Sequence, residues 1–142
     1  MAGAIHNAAG RGLTEEARPL APIQPSEAVI TGAHDLPNDY VIHVLGPVYG
    51  RDEPSDELLR ASYQNALQRA EENDVSTIAF PAISTGAFGF PVGAAARIAL
   101  ETVLNVAPDL DRVTRIRFVL FDAEALAVHQ DALAALRDPE DA

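Results

Sequence analysis

Residues 77–106 read as a strand, a glycine-bearing turn and a helix, and that order constrains the fold more than anything else in the chain. Thr77-Ile78-Ala79-Phe80 is a short apolar run suited to a buried strand. Pro81-Ala82-Ile83-Ser84-Thr85-Gly86-Ala87-Phe88-Gly89-Phe90-Pro91 follows, and Val92 to Val106 is alanine-rich with helical periodicity. Strand, turn and helix N-terminus in this order is how α/β proteins hold phosphate. Glycine opens backbone conformations closed to other residues, and successive N–H groups can converge on an anion at the positive end of a helix. The turn carries no lysine, so it is not a Walker-type loop ending in GK[ST]. Binding there would come from main-chain donors and from the Ser84 and Thr85 hydroxyls. The plainer alternative is that Gly86 and Gly89 only reverse the chain. Phe88 and Phe90 favour a ligand, because both read as exposed aromatics in a turn where water favours polar side chains. Pro91 suits the first turn of a helix, where a missing N–H costs nothing.

The rest of the chain supplies more of the same alternation. Ala2 to Ala9 is expected as a short helix ended by Gly10, and Thr14 to Arg18 as a second, with Thr14 as its cap. Strands are expected at Glu27–Thr31 and Tyr40–Leu45, then a long helix from Ser55 to about Asn73. A last strand, Arg115–Phe121, precedes a helix Ala123–Leu136 capped by Asp122. Strands alternating with helices give a layered α/β domain. One domain over residues 1–137 is expected, with 138–142 as a disordered tail.

Composition excludes several functions. The chain has no cysteine, so no disulfide, thiolate metal site or cysteine nucleophile. No histidine pair has metal-ligand spacing, and no metal or cofactor is expected. His6 and His43, in apolar surroundings, read as hydrogen-bonded structural residues, while His34 and His129 read as surface residues. The formal charge of −11, with no lysine at all, argues against nucleic acid as partner. The same acidity leans towards a halophile, against the alternative of codon bias. Nothing resembles a signal peptide or a membrane span, so a cytoplasmic location is expected.

Three blocks, in order, resemble the macro domain family. They are Gly3-Ala4-Ile5-His6-Asn7-Ala8-Ala9-Gly10, Tyr40-Val41-Ile42-His43-Val44-Leu45-Gly46-Pro47-Val48-Tyr49 and Ile78 through Pro91. Glu27–Thr31 and Phe118–Asp122 look like family counterparts too, so the resemblance covers nearly the whole chain. It implies a three-layer α/β/α fold with a mixed sheet and a crevice for ADP-ribose. It also implies that Ser84, Thr85, Gly86, Ala87, Phe88 and Gly89 wrap the diphosphate and distal ribose through backbone N–H groups, with Phe88 beside that ribose. Phe121 matches the aromatic that stacks on adenine, core filler being the alternative. Members similar to this chain remove acetyl from O-acetyl-ADP-ribose or ADP-ribose from modified proteins, which makes an ADP-ribosylated protein a further expected partner.

The departures from the pattern bear on catalysis and on folding. Ahead of the Gly3–Gly10 block the family carries a strand with a nearby acidic residue that recognises adenine. It also carries an apolar strand that ends in an Asn-rich turn and a glycine run. Neither precedes Gly3 here, so the domain is expected to be truncated at its N-terminus. The Asp of the catalytic members falls at Ala2, and their Asn is also missing, which leaves the catalytic residues unknown and catalysis open. The alternatives are a non-catalytic ADP-ribose reader and a remnant without ligand function. The missing apolar strand lies mid-sheet in the family. Each unpaired backbone group that its loss buries would cost about 1–3 kcal/mol. An upstream start, assembly of two fragments, or closure of the remaining strands over the gap would each relieve that cost.

Overall fold

The computed structural model describes residues 2–137; the expected tail, 138–142, lies outside the described residues. Helices α1 (Ala2–Ala9) and α2 (Arg11–Ala17) open the chain, followed by β1 (Ala28–Gly32), β2 (Tyr40–Val44) and α3 (Ser55–Glu72). Then come β3 (Thr77–Phe80), α4 (Val92–Val106), β4 (Arg115–Phe118) and α5 (Ala123–Arg137). Gly10 separates α1 from α2 with φ +86°, a conformation that Cβ-bearing residues avoid. The second helix therefore starts at Arg11, and Thr14 lies inside it rather than capping it. Leu13, fully buried, is the apolar anchor that fixes α2. At the other end of the chain Asp122 does cap, its Oδ1 accepting from the Ala125 N–H at 2.8 Å.

The strands form two two-stranded sheets rather than one. β1 and β2 pair antiparallel, with Ile30 opposite Ile42; β3 and β4 pair parallel, with Ile78 opposite Ile116. β2 and β3 do not pair, so the closure expected of the remaining strands is not seen. Period-two alternation sorts their side chains. Ile42 and Val44 of β2, Ile78 of β3, and Ile116 and Phe118 of β4 all pack on one core built mainly from α3 and α4. Leu59, Tyr63, Ala66 and Leu67 come from α3, and Ala95, Ile98, Ala99 and Val103 from α4. Burying each leucine fully is worth about 1.5–3 kcal/mol, so the two helices hold both sheets against a common apolar layer. On the other side of β1 and β2 lie α1 and α2, with His43 between them and the sheet. The outward residues of β3 and β4, which are Thr77, Ala79, Arg115 and Arg117, are exposed.

β4 stops at Phe118, three residues short of expectation. Pro81 ends β3 because it has no N–H to continue the ladder, and the last rung is the Val119 N–H donating to the Phe80 carbonyl at 2.8 Å. Beyond that rung β4 has nothing to pair with. His129, expected at the surface, is buried under Phe118, with ring centroids 6.0 Å apart. Its Nδ1 lies 2.8 Å from the Ala125 carbonyl, so Nδ1 carries the proton and donates.

Candidate functional site

The turn after β3 hangs from α3. The buried Tyr63 hydroxyl accepts the Ile83 N–H at 3.2 Å and donates weakly to the Pro81 carbonyl at 3.4 Å. Burial pushes the Tyr63 hydroxyl up to about 12, against a smaller opposing effect of the Ile83 N–H, so it stays protonated. Tyr63 also meets Phe80 edge-on, with centroids 5.0 Å apart, which locks its ring. Its helical position among apolar neighbours marks it as core; its hydroxyl is the signal that it does more.

Within the turn, Ser84 adopts φ +68° and Gly89 φ +74°. A left-handed serine is uncommon and marks a backbone shaped by its surroundings. Thr85 closes the first bend, with both its N–H and its hydroxyl donating to the Ala82 carbonyl. Gly89 donates to Gly86, and Phe90 to Ser84. Among the described residues, the N–H groups of Ser84, Gly86, Ala87 and Phe88 donate to no protein acceptor. Gly86, Ala87 and Gly89 are exposed, whereas Ser84, Thr85 and Phe88 are half-buried. Four successive or near-successive main-chain donors of the turn thus have no protein acceptor among the described residues.

The segment after β2 walls one side. Gly46 and Pro47 are buried. A Cβ on Gly46 would overlap Ser84 Oγ and lie 2.5 Å from Ile83 Cγ2, so only glycine lets the two segments touch. Ser84 Oγ, enclosed there, has no hydrogen-bond partner. Two residues on, the Tyr49 N–H donates to the Phe88 carbonyl at 2.9 Å, and the Tyr49 ring lies 4.8 Å from that of Phe90. Phe90 is 2% exposed, contrary to expectation: it is a core residue, and Phe88 alone is the aromatic of the turn that meets solvent. The Gly46–Pro47 pair at a strand end was the sequence signal for this wall, but its contact with Ser84 spans nearly forty residues and leaves no local trace.

Phe121 is 97% exposed, which removes the core-filler alternative. It sits two residues beyond the last β3–β4 rung, at the carboxyl end of the parallel pair from which the Ser84–Gly89 turn also departs. Open α/β sheets bind ligands beyond the carboxyl ends of their strands. A cavity of about 370 Å³ lies elsewhere, beside α1, α2 and β1, lined among others by His6, Leu20, Val29 and His43. His6 and His43 are both hydrogen-bonded: His6 Nδ1 lies 3.2 Å from Thr14 Oγ1. His43 Nε2 lies 3.0 Å from Thr31 Oγ1, and burial holds its pKa below the usual imidazole value, helped by the charge of nearby His6. Exposed His34 bonds Glu16 Oε1 at 2.7 Å.

Residues 1–99 match the macro domain family, which is most of the chain. The chain belongs to that family. A macro domain-containing protein of Chlorobaculum tepidum is 45% identical over 134 residues, covering 94% of this chain and 78% of that protein. A protein of Enterobacter cloacae named O-acetyl-ADP-ribose deacetylase is 45% identical over 139 residues, covering 92% of this chain and 76% of its own length. Among solved structures, a variant of the Oceanobacillus iheyensis macrodomain with ADPR superposes with a TM-score of 0.87 at 34% identity. That superposition covers 94% of this chain and 76% of the other. The mixed α/β architecture of macro domains is therefore this chain's own. Position 2 of this macro domain is alanine, and the Gly3–Gly10 block carries no carboxylate.

Proposed function

We propose that this macro domain binds ADP-ribose or a close ADP-ribosyl derivative in the crevice formed by the Ser84–Gly89 turn and Phe121. The observation that carries the reading is the set of unpaired N–H groups at Ser84, Gly86, Ala87 and Phe88, held open by the left-handed Ser84. They would take the diphosphate oxygens without any lysine or arginine. Phe88 would pack beside the distal ribose, and Phe121 would stack on adenine. A net charge of −11 does not oppose this, because the Debye length is about 8 Å at physiological salt and distant carboxylates are screened. A ligand of this kind, including ADP-ribose attached to a protein, fits a cytoplasmic domain with no nucleic-acid partner. Among the described residues no helix is long and apolar enough to cross a membrane.

Hydrolysis of O-acetyl-ADP-ribose or of protein-linked ADP-ribose ranks below binding. With alanine at position 2, water attack would rely on the substrate's own phosphate as base, with the turn's amides stabilising the developing charge. Calorimetry with ADP-ribose on this chain tests the binder: a saturable one-to-one heat and a raised melting temperature are expected, and neither appearing would refute it. Release of acetate from O-acetyl-ADP-ribose no faster than in buffer would leave a reader. The split sheet supports the other alternative, a chain without ligand function, and the same calorimetry decides between them.

A further inference from the structure

The cavity beside α1, α2 and β1 is separate from the proposed ADP-ribose crevice. None of Ser84 to Gly89 lines it, nor does Phe121, and all of its walls come from residues 6–43. It is firmly framed. The Glu16 carboxylate accepts the Gly32 N–H at 3.1 and 3.2 Å and bonds His34 at 2.7 Å, which clamps α2 to the end of β1. Thr14 ties α2 to His6 of α1 at 3.2 Å. Leu20, Ile23 and Val29, with Ala17, make the walls largely apolar. The volume of about 370 Å³ falls within the range of small-molecule sites, about 300–1,000 Å³.

His43 gives this cavity a polar requirement. The Thr31 hydroxyl donates its one proton to the Gly32 carbonyl at 3.0 Å, so its oxygen accepts from His43 Nε2 at 3.0 Å. Nε2 therefore carries the ring proton. Burial, and then the charge of His6, hold the His43 pKa below the usual imidazole value, so the ring is neutral and Nδ1 is an unprotonated acceptor. Among the described residues no group donates to that nitrogen. We propose that the cavity binds a small, neutral, largely apolar molecule with one hydroxyl, of the alkylphenol class. The walls take its body, and its hydroxyl donates to His43 Nδ1. A phenol suits the site because its hydroxyl is a stronger donor than that of an alcohol. A ligand without a donor would leave the nitrogen desolvated and unpaired, which lowers affinity. Arg18 also lines the cavity and would attract a carboxylate. A carboxylate, however, has no proton to give and would face the lone pair of Nδ1.

Thymol, thymol methyl ether and para-isopropylbenzoate are matched probes, similar bodies carrying a hydroxyl, an ether and a carboxylate. Titrated into this chain by calorimetry at neutral pH, thymol should bind one-to-one, with the same affinity when ADP-ribose is present in excess. The ether should bind roughly tenfold more weakly. His43→Phe keeps a ring of similar shape and removes the acceptor, so thymol and its ether should bind that variant alike. Ala17→Leu puts a larger side chain into the wall and should abolish thymol binding, while the response to ADP-ribose stays that of the parent. No saturable thymol heat, displacement of thymol by ADP-ribose, or tighter binding of para-isopropylbenzoate would each overturn the proposal. So would parent-like thymol affinity in Ala17→Leu. Should Ala17→Leu fail to fold, His43→Phe reads the same site: an ether still tenfold weaker than thymol there refutes it. Because thymol is measured with and without ADP-ribose, the two sites stand or fail separately.

Discussion

Replacing Tyr63 with phenylalanine tests how the turn is held. The ring contact with Phe80 survives, and only the hydroxyl is lost, leaving the Ile83 N–H without an acceptor. Tyr63 is 1% exposed and Ile83 8%, so water cannot replace it without opening the core. An orphaned buried donor costs about 1–3 kcal/mol, and the 3.4 Å contact to Pro81 adds little. For a chain of this size about 3 °C of melting temperature corresponds to each kcal/mol, so Tyr63→Phe should melt about 3–9 °C lower by circular dichroism. The hydroxyl, pushed up to about 12 by burial, is neutral at any working pH, so the difference is one of hydrogen bonding and not of charge. Because Ile83 precedes the Ser84–Gly89 donors, ADP-ribose affinity should fall several-fold in the same protein. A melting temperature within a degree of the parent, with unchanged affinity, would show that the turn does not hang from α3.

Three other perturbations separate site from scaffold. Phe121→Ala should leave the melting temperature unchanged, since the ring is exposed, but weaken ADP-ribose by the roughly 1–3 kcal/mol of a base–aromatic stack, measured by calorimetry. Gly46→Ala drives a methyl group into Ser84 and Ile83 and should cost about 1–3 kcal/mol of stability in urea unfolding, together with binding. For His43 the pH sign follows from its lowered folded pKa. The unfolded chain takes up the proton first, so stability is full above the ordinary value of 6.5 and falls as pH drops towards the folded pKa. His43→Gln, followed by melting temperature against pH, should flatten that slope.

Where a structural feature depends on neighbouring residues, the chain displays it openly. α1 ends at Ala9 and α4 runs from Val92 to Val106 as their periodicity and flanking Gly10 and Pro91 require. Asp122 announces α5 for the same reason. Features made by distant partners are invisible locally. The end of β4 depends on Pro81, just past β3, and the burial of His129 on its packing against Phe118. Phe88 and Phe90 are two residues apart in the same turn, and packing into the common core, with Tyr49 against its ring, makes Phe90 the buried one. The donors at Ser84, Gly86, Ala87 and Phe88 were foreseeable as backbone, but Tyr63 and Gly46, which shape them, lie on other elements.

With its sheet in two pieces, the molecule relies on α3 as its spine. Asn65 donates to the Ser26 carbonyl ahead of β1, Tyr63 carries the turn after β3, and Glu71 gathers the N–H groups of Asp111, Arg112 and Val113 before β4. β1, β3 and β4 are therefore tethered through their flanking loops to one helix of eighteen residues, and β2 is held through its pairing with β1. Strand edges can fray around such an axis while the whole stays assembled, but losing the helix would scatter all four strands at once.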